Sequence, residues 1–334
     1  MNIAFKAARL AAALALGAGM AAAGPIINVI YDPTVAFTAA DKTQIQNAIN
    51  FYTSNITSNF AVTIAVGAQA GGGASTSTFS EYVDYSAYYN ALVANSSGNA
   101  TDTAAIASLG GASVNNPVTG TTQIQIRPTL AATLGIGSQV SDSFANCGGL
   151  IADACIQVGA DVLNATGSPM ASLYGTFEHE FDEVLSTSSA LPGGGGTLPA
   201  DPSVADLYRY SAPGVRSFAF NPSTDVPCTG SPTAYFSIDG GVTNLNPYNN
   251  CNNGGDYGDW IYTDGLQVQD AYGPDDVASS LNLSSPEVTL LDATGYNFNN
   301  GTTATPEPSS FVLLLAGLVA VPVLRRRLGD KPRR

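Results

Sequence analysis

Residues 176–185 read TFEHEFDEVL and hold the only histidine of the chain. The H-E-x-x-H pattern of zinc-binding helices sets two imidazoles one turn apart, with a glutamate between them to activate water. Here Glu183 stands in the second histidine's place. Residues four apart on an α-helix lie one above the other, so His179 and Glu183 present a nitrogen and a carboxylate oxygen to one point. Glu180 lies about 100° around the helix, beside that point. Zinc accepts carboxylate oxygen as readily as imidazole nitrogen, so Glu183 is a candidate ligand and Glu180 a candidate general base. The competing reading is a solvated acidic face made of Glu178, Glu180, Asp182 and Glu183. Four carboxylates in six residues repel one another unless a cation or a basic partner lies near.

Basic partners are scarce. The chain has 12 Lys and Arg against 26 Asp and Glu, with a formal net charge of −14. Outside the two termini only Lys42, Arg127, Arg209 and Arg216 are basic. A body so acidic is repelled by phosphate backbones, which excludes nucleic acid as a partner. Arg209 and Arg216, downstream of the acidic segment, are expected to pair with it. The Asp- and Gly-rich runs GGDYGDW and SIDGG read either as calcium-binding turns or as plain loops.

Both ends read as sorting segments. Residues 1–23 combine Lys6 and Arg9, a short Ala/Leu run and Ala21-Ala22-Ala23, the pattern of a secretory signal peptide cut near Ala23. At the other end Pro306-Glu307-Pro308 precedes an apolar stretch from Phe311 to Leu324 and the cluster Arg325-Arg326-Arg327. That tripartite arrangement over residues 301–334 resembles the PEP-CTERM sorting signal of Gram-negative bacteria. The resemblance implies a tail held transiently in the membrane, an exosortase-type processing enzyme as partner, and a cell-envelope or extracellular location. Four cysteines agree with export: Cys147 with Cys155 and Cys228 with Cys251 is the simplest of three pairings in an oxidising compartment.

Between the ends the elements that must position His179 are legible in part. IINVIYD (Ile26–Asp32) and FAVTIAV (Phe60–Val66) read as strands. The helix between them opens on a Thr38/Asp41 capping box and buries Ile45, Ile49, Tyr52 and Ile56 at helical spacing. This β-α-β opening implies a sheet with a helix packed across it. Residues 70–78 read as a flexible loop. A helix follows in the second half of 80–97, with Tyr85, Tyr89 and Leu92 on one side. Thr122–Ile126 and Cys155–Val158 read as strands, Ser168–Ser186 as the His179 helix, and Glu287–Asn297 as a short helix ending at Gly295. The expected class is α+β, with residues 24–190 as an N-terminal part carrying the helix and 191–300 as an irregular, loop-rich C-terminal part of the same domain.

Four blocks follow HEFDEVL in order: DLYRYSAPGVRSF, AYFSIDGGVTNLNPYN, GDYGDW and LLDATGY. Together these resemble a family of exported bacterial metalloproteases that often carry PEP-CTERM tails and are distant relatives of the zincins. The resemblance covers roughly Ile26–Asn297. It implies a zincin-like fold, a twisted mixed sheet backed by helices, and zinc-dependent peptide hydrolysis. It makes His179 and Glu183 metal ligands and Glu180 the general base. For the third ligand it points to Asp206, with Asp201, Asp239 and Asp256 as rivals, because Ser189 stands where the extended zincin pattern has histidine. Tyr208 or Tyr210 would stabilise an oxyanion. No methionine follows Met170, so the methionine turn of metzincins is missing. Ser186 replaces the motif's glycine after Val184-Leu185, which puts the chain's exit from the helix in question. The alternative function is an inactive surface or matrix protein that binds divalent cations or polysaccharide.

Overall fold

The structure is a computed structural model that describes residues 24–138, 140–163, 173–192, 197–262, 266–272 and 281–299. The expected leader (1–23), the sorting tail (301–334), Met170 and the first turns of the expected His179 helix lie outside the described residues. Among the described residues no helix is long and apolar enough to cross a membrane.

The chain begins with β1 (Ile26–Tyr31), α1 (Ala39–Asn55), β2 (Ala61–Gln69) and β3 (Ala74–Thr78). Then come β4 (Glu81–Asp84), α2 (Tyr85–Asn95), α3 (Ala100–Ser108), β5 (Gln123–Ile126) and α4 (Pro128–Thr133). The hairpin β6 (Asp142–Phe144) and β7 (Leu150–Ala152) leads to β8 (Ala154–Gly159), α5 (Ala160–Leu163) and α6 (Leu173–Val184). The rest holds β9 (Arg209–Ala212), β10 (Val215–Arg216), β11 (Tyr235–Phe236), β12 (Asn246–Pro247) and α7 (Pro286–Thr294). The class is mixed α+β.

The main sheet runs β1-β2-β8-β3. Strands β1, β2 and β8 are parallel, and β3 closes the edge antiparallel to β8. The capping box starts α1 as its sequence dictates: Thr38 Oγ1 accepts from Asp41 N, and Asp41 Oδ2 accepts from Thr38 N at 2.7 Å. Helix α1 then buries Ile45, Ala48, Ile49 and Tyr52. It crosses from β1 to β2 and packs beside α6, on the face that presents Ile64, Val66, Ile156 and Val158. The alternate residues Ala65 and Cys155 face the other way, under Phe144, Ala152 and the Cys147–Cys155 disulfide. With both faces covered, the central strands read as nearly continuous buried runs rather than as clean alternations.

Two expectations are corrected. The segment 70–78 is not all loop: Ala74–Thr78 pairs along β8 from Ala74↔Val158 to Thr78↔Ala154. Its ASTST sequence has no apolar alternation, because what β3 turns toward α6 is a hydroxyl, Thr76, and not a hydrocarbon. On α2 the buried stripe is Tyr85, Tyr88 and Leu92, with Tyr88 in place of Tyr89.

The C-terminal half builds a small sheet, β10-β9-β11-β12, laced by the Cys228–Cys251 disulfide. Both disulfides follow the sequential pairing, and they suit an oxidising environment. Helix α7 ends where Gly295 takes φ +129°, a conformation glycine adopts without a Cβ penalty. The described residues as far as Phe298 form one compact unit.

Candidate metal centre

Helix α6 is no solvated acidic face. Glu178 and Asp182 are 0% exposed, Glu180 6% and Glu183 9%. Its apolar side, Phe177 and Phe181, lies against α1, with the Tyr52 and Phe181 rings edge to face at 4.6 Å. Burying each such ring contributes roughly 1.5–3 kcal/mol, which offsets part of the cost of drawing acids inside. The flank toward α1 is tied by Tyr52, whose hydroxyl donates to Asp182 Oδ1 at 2.7 Å and lies 3.1 Å from the Glu178 carbonyl oxygen. Burial pushes the Glu178 carboxyl up to about 7 and Asp182 well above the ordinary range. The opposite flank is tied by β3: Thr76 Oγ1 donates to Glu180 Oε2 at 2.7 Å and contacts the Glu180 carbonyl oxygen at 2.9 Å.

Between those flanks, His179 is oriented by its backbone and by its ring. Gln269 Nε2 donates to the His179 carbonyl at 2.6 Å. His179 Nδ1 lies 2.9 Å from the Val268 carbonyl, which can only accept, so Nδ1 carries a proton and Nε2 is the nitrogen left to face a metal. Such a second contact on a ligating imidazole fixes ring and tautomer together. Nε2 points at Asp259 Oδ1, 3.6 Å away, too far for a hydrogen bond. One ligand atom each from His179, Glu183 and Asp259 lie within 4.8 Å of one another.

These three residues fit a metal ion. Two ligands at about 2.0–2.1 Å from a tetrahedral zinc stand roughly 3.3–3.4 Å apart, close to the observed nitrogen–oxygen separation. Asp259 is buried, and its Oδ1 accepts no hydrogen bond. An orphaned buried carboxylate oxygen costs about 1–3 kcal/mol or more, which a cation removes. The titration pattern agrees. Burial alone lowers the His179 pKa, but the charges of Asp259, Glu180 and Glu183 outweigh it and carry it to about 10. Burial, followed by the Glu180 and Asp259 charges, pushes Glu183 well above its ordinary range, and burial lifts Asp259 to about 7. Three acids around one imidazole are mutually repulsive; a divalent ion neutralises them.

The structure gathers some of the expected residues and not others. His179, Glu180 and Glu183 converge. Asp206 does not join them: its buried carboxylate takes Ser189 Oγ at 2.6 Å, Ala190 N and Ser203 N at 2.9 Å, and Ser203 Oγ at 3.0 Å. It fastens the chain leaving α6 to the 3₁₀ turn Ala205–Tyr208. Among the rivals, Asp201 accepts from Thr121, 80 positions earlier in the chain, and Asp239 accepts from Ser237 and Thr243 in a local turn. Asp256 is exposed, and its charge acts on Glu180, Glu183 and Asp259 from the mouth of the site. Tyr208 gives its hydroxyl to the Ala293 carbonyl at 2.8 Å, and Tyr210 lies under the Arg216 guanidinium at 4.8 Å. Their electrostatic neighbours are other tyrosines and, for Tyr210, Arg216 and Asp239, not the acids of α6.

Asp259 belongs to the GDYGDW block, where sequence reasoning weighed Asp256 instead. Three contacts hold it in place. Its backbone N–H donates to Asp256 O, its carbonyl accepts from Asn249 N, and the next residue, Trp260, is fully buried. Arg209 and Arg216 do not pair with α6 as expected. Arg209 is buried over the Tyr248 ring and donates to Ser217 O, Tyr257 O and Asn250 Oδ1, and Arg216 Nε donates to Leu207 O. The arginine that feels the Glu183 charge is Arg127, where that charge opposes the lowering of its pKa by burial.

Ser186 answers the question of the missing glycine. It adopts φ +98°, the left-handed region glycine favours, and the chain turns sharply out of α6 after all. Such strain costs on the order of 1–3 kcal/mol in a non-glycine residue. Ser186 Oγ offsets part of it by accepting from Arg127 N at 3.1 Å, and the helix end is closed by Ser186 N to Glu183 O and Thr187 N to Asp182 O. No protein-family model matches this chain, and neither the curated proteins nor the solved structures give a match.

Proposed function

We propose that this protein is an exported metal-dependent peptidase. The observation that carries the reading is the meeting of His179 Nε2 with carboxylate oxygens of Glu183 and Asp259, beside a glutamate whose own carboxylate is held by Thr76. A helix with H-E-x-x-E spacing, laid across a mixed sheet with an antiparallel edge strand, supports the likeness to zincins and to the exported metalloprotease family. The donor set, one imidazole nitrogen and carboxylate oxygens, favours zinc over calcium, which takes six to eight oxygens and no imidazole.

His179, Glu183 and Asp259 would hold the ion. Bound zinc supplies a Lewis acid that polarises a peptide carbonyl and makes water acidic enough to attack at neutral pH. Glu180, kept from rotating by Thr76, takes a proton from the attacking water and returns it to the leaving amine. Its raised pKa, caused chiefly by burial, brings it nearer the pH at which both halves of that shuttle run. Val268 O holds the proton on Nδ1 and so turns Nε2 toward the ion.

The test is metal analysis and proteolysis with purified protein, where the expected result is about one zinc per chain and cleavage of casein or gelatin that a chelator abolishes. Glu180→Gln keeps the metal and lowers hydrolysis by at least about 100-fold. Unchanged hydrolysis in that variant overturns the reading. The oxygen-rich donor set favours a second reading, a structural cation site in a non-catalytic surface protein. Stoichiometric metal with no hydrolysis of any peptide marks that case.

A further inference from the structure

Beyond the end of β3, next to the turn that leaves α6, lies a cavity of about 20 Å³ lined by Arg127, Ser80, Ser186, Ser188, Ser189 and Ser203. That is room for one water-sized polar group, the scale of a single carboxylate oxygen. The groups around it are mostly donors. Arg127 Nη1 contacts Phe79 O at 3.3 Å and Ser80 Oγ at 3.0 Å, while no described residue accepts from its Nε or Nη2. Ser80 Oγ, accepting from arginine, keeps its own proton to give. Ser188 Oγ is buried and has no partner, an orphan that a filled cavity would satisfy. Asp206 sits behind Ser189 and Ser203 with its oxygens already taken by four donors, so it does not supply the missing anion. The Glu183 charge reaches this guanidinium, but among the described residues its hydrogen bonds go to a carbonyl and a hydroxyl, so with hydroxyls around it the group is a subsite for an incoming anion.

The position narrows which anion. Thr76 anchors Glu180 and Ser80 anchors Arg127, four residues further along one extended segment. Four extended residues span at most about 14 Å, so the cavity lies within roughly four peptide residues of the hydrolytic centre. We propose that the Arg127 pocket binds the C-terminal carboxylate of a peptide substrate, so that the enzyme trims fragments of one to four residues from free C-termini. The reading rests on the peptidase assignment above. Each event consumes one water: its oxygen goes to the carboxylate of the shortened peptide, and its protons go to the released amine and to solvent.

The test uses the zinc-loaded full-length protein and two forms of one decapeptide, with a free or an amidated C-terminus, and reads products by mass spectrometry. Wild type releases one- to four-residue C-terminal pieces, and amidation lowers kcat/KM by about 10- to 100-fold, the loss expected for one charge-assisted contact. Arg127→Gln brings the free peptide down to the amidated level at unchanged zinc content, and Arg127→Lys recovers part of the preference. A second variant, Ser188→Ala, narrows the free-to-amide ratio without touching the charge. Equal cleavage of both peptides by wild type, or an unaltered ratio in Arg127→Gln, overturns the proposal. Calorimetry with N-acetylalanylalanine and its amide, on chelator-treated protein, separates the two readings. Carboxylate-selective binding that needs Arg127, with no hydrolysis in any arm, removes the peptidase reading and leaves the subsite standing. Binding indifferent to Arg127 removes the subsite even where hydrolysis persists.

Discussion

Glu287 Oε1 accepts the indole N–H of Trp260 at 3.0 Å, and the same oxygen accepts Gln269 N at 3.0 Å. One buried carboxylate on α7 thereby fixes the residue after Asp259 and the residue after Val268, whose carbonyl orients His179. One metal ligand and the carbonyl that orients another, on separate loops, are registered against a single atom.

Glu287→Ala therefore damages more than its own surroundings. Two buried donors lose their acceptor, which costs about 2–4 kcal/mol of stability. Outer contacts of this kind are worth about 10- to 100-fold in metal affinity. Urea denaturation and zinc titration with a competing chelator read the two effects separately.

The two aspartates that compete for the third-ligand role separate cleanly. Asp259→Asn lowers zinc affinity at least about 100-fold, because it removes an anionic ligand from the centre. Asp206→Asn leaves bound zinc unchanged and lowers stability by about 1–3 kcal/mol, since Ser203 N and Ala190 N lose a charged acceptor. Elemental analysis beside thermal melts distinguishes them, and the opposite pattern would return Asp206 to the centre.

Ser186 balances strain against a hydrogen bond. Ser186→Gly relieves the φ +98° strain and loses the contact to Arg127 N, for a net change within about 1 kcal/mol. Ser186→Val adds a branched Cβ to the same conformation and costs more than about 2 kcal/mol. Denaturant midpoints check both.

Thr76→Val removes the hydroxyl that holds Glu180 and keeps its shape. Metal content stays at wild-type level, while kcat falls about 10-fold with little change in KM, the signature of a misplaced base rather than a lost binding contact.

Asp270 gives a pH dependence. Burial raises its carboxyl to about 7, against the Gln267 N contact that lowers it. Below about pH 4 both folded and unfolded chains carry the proton, so the group contributes nothing adverse. Between about pH 4 and 7 the folded chain holds more protons than the unfolded one, so stability falls as pH rises, until the loss is complete above the folded pKa. In excess chelator, Asp270→Asn flattens that part of the stability profile. A wild-type slope of the same size in the variant would assign the effect elsewhere.

The sequence carried those parts whose signal is local. Helix α1 is legible from Thr38, Asp41 and the Ile45–Ile49–Tyr52 stripe, and the pairing of His179 with Glu183 follows from helical pitch alone. Strand β3 was hidden because its partner face asks for a hydroxyl, so Ser and Thr replace the expected hydrocarbon alternation. Asp259 was hidden because no periodicity runs through GDYGDW; its place is set by Trp260, Glu287 and Asn249, contacts that exist only after folding. The left-handed Ser186 was read as a missing glycine, since a side chain that repays backbone strain through Arg127 leaves no mark in composition.

Arg209 gives the loop of Asp259 its permanence. Its guanidinium grips the Tyr257 carbonyl two positions ahead of that aspartate and also Asn250 and Ser217. None of those three partners is a ligand of the metal centre, so the course of the loop rests on the fold as well as on any cation it holds.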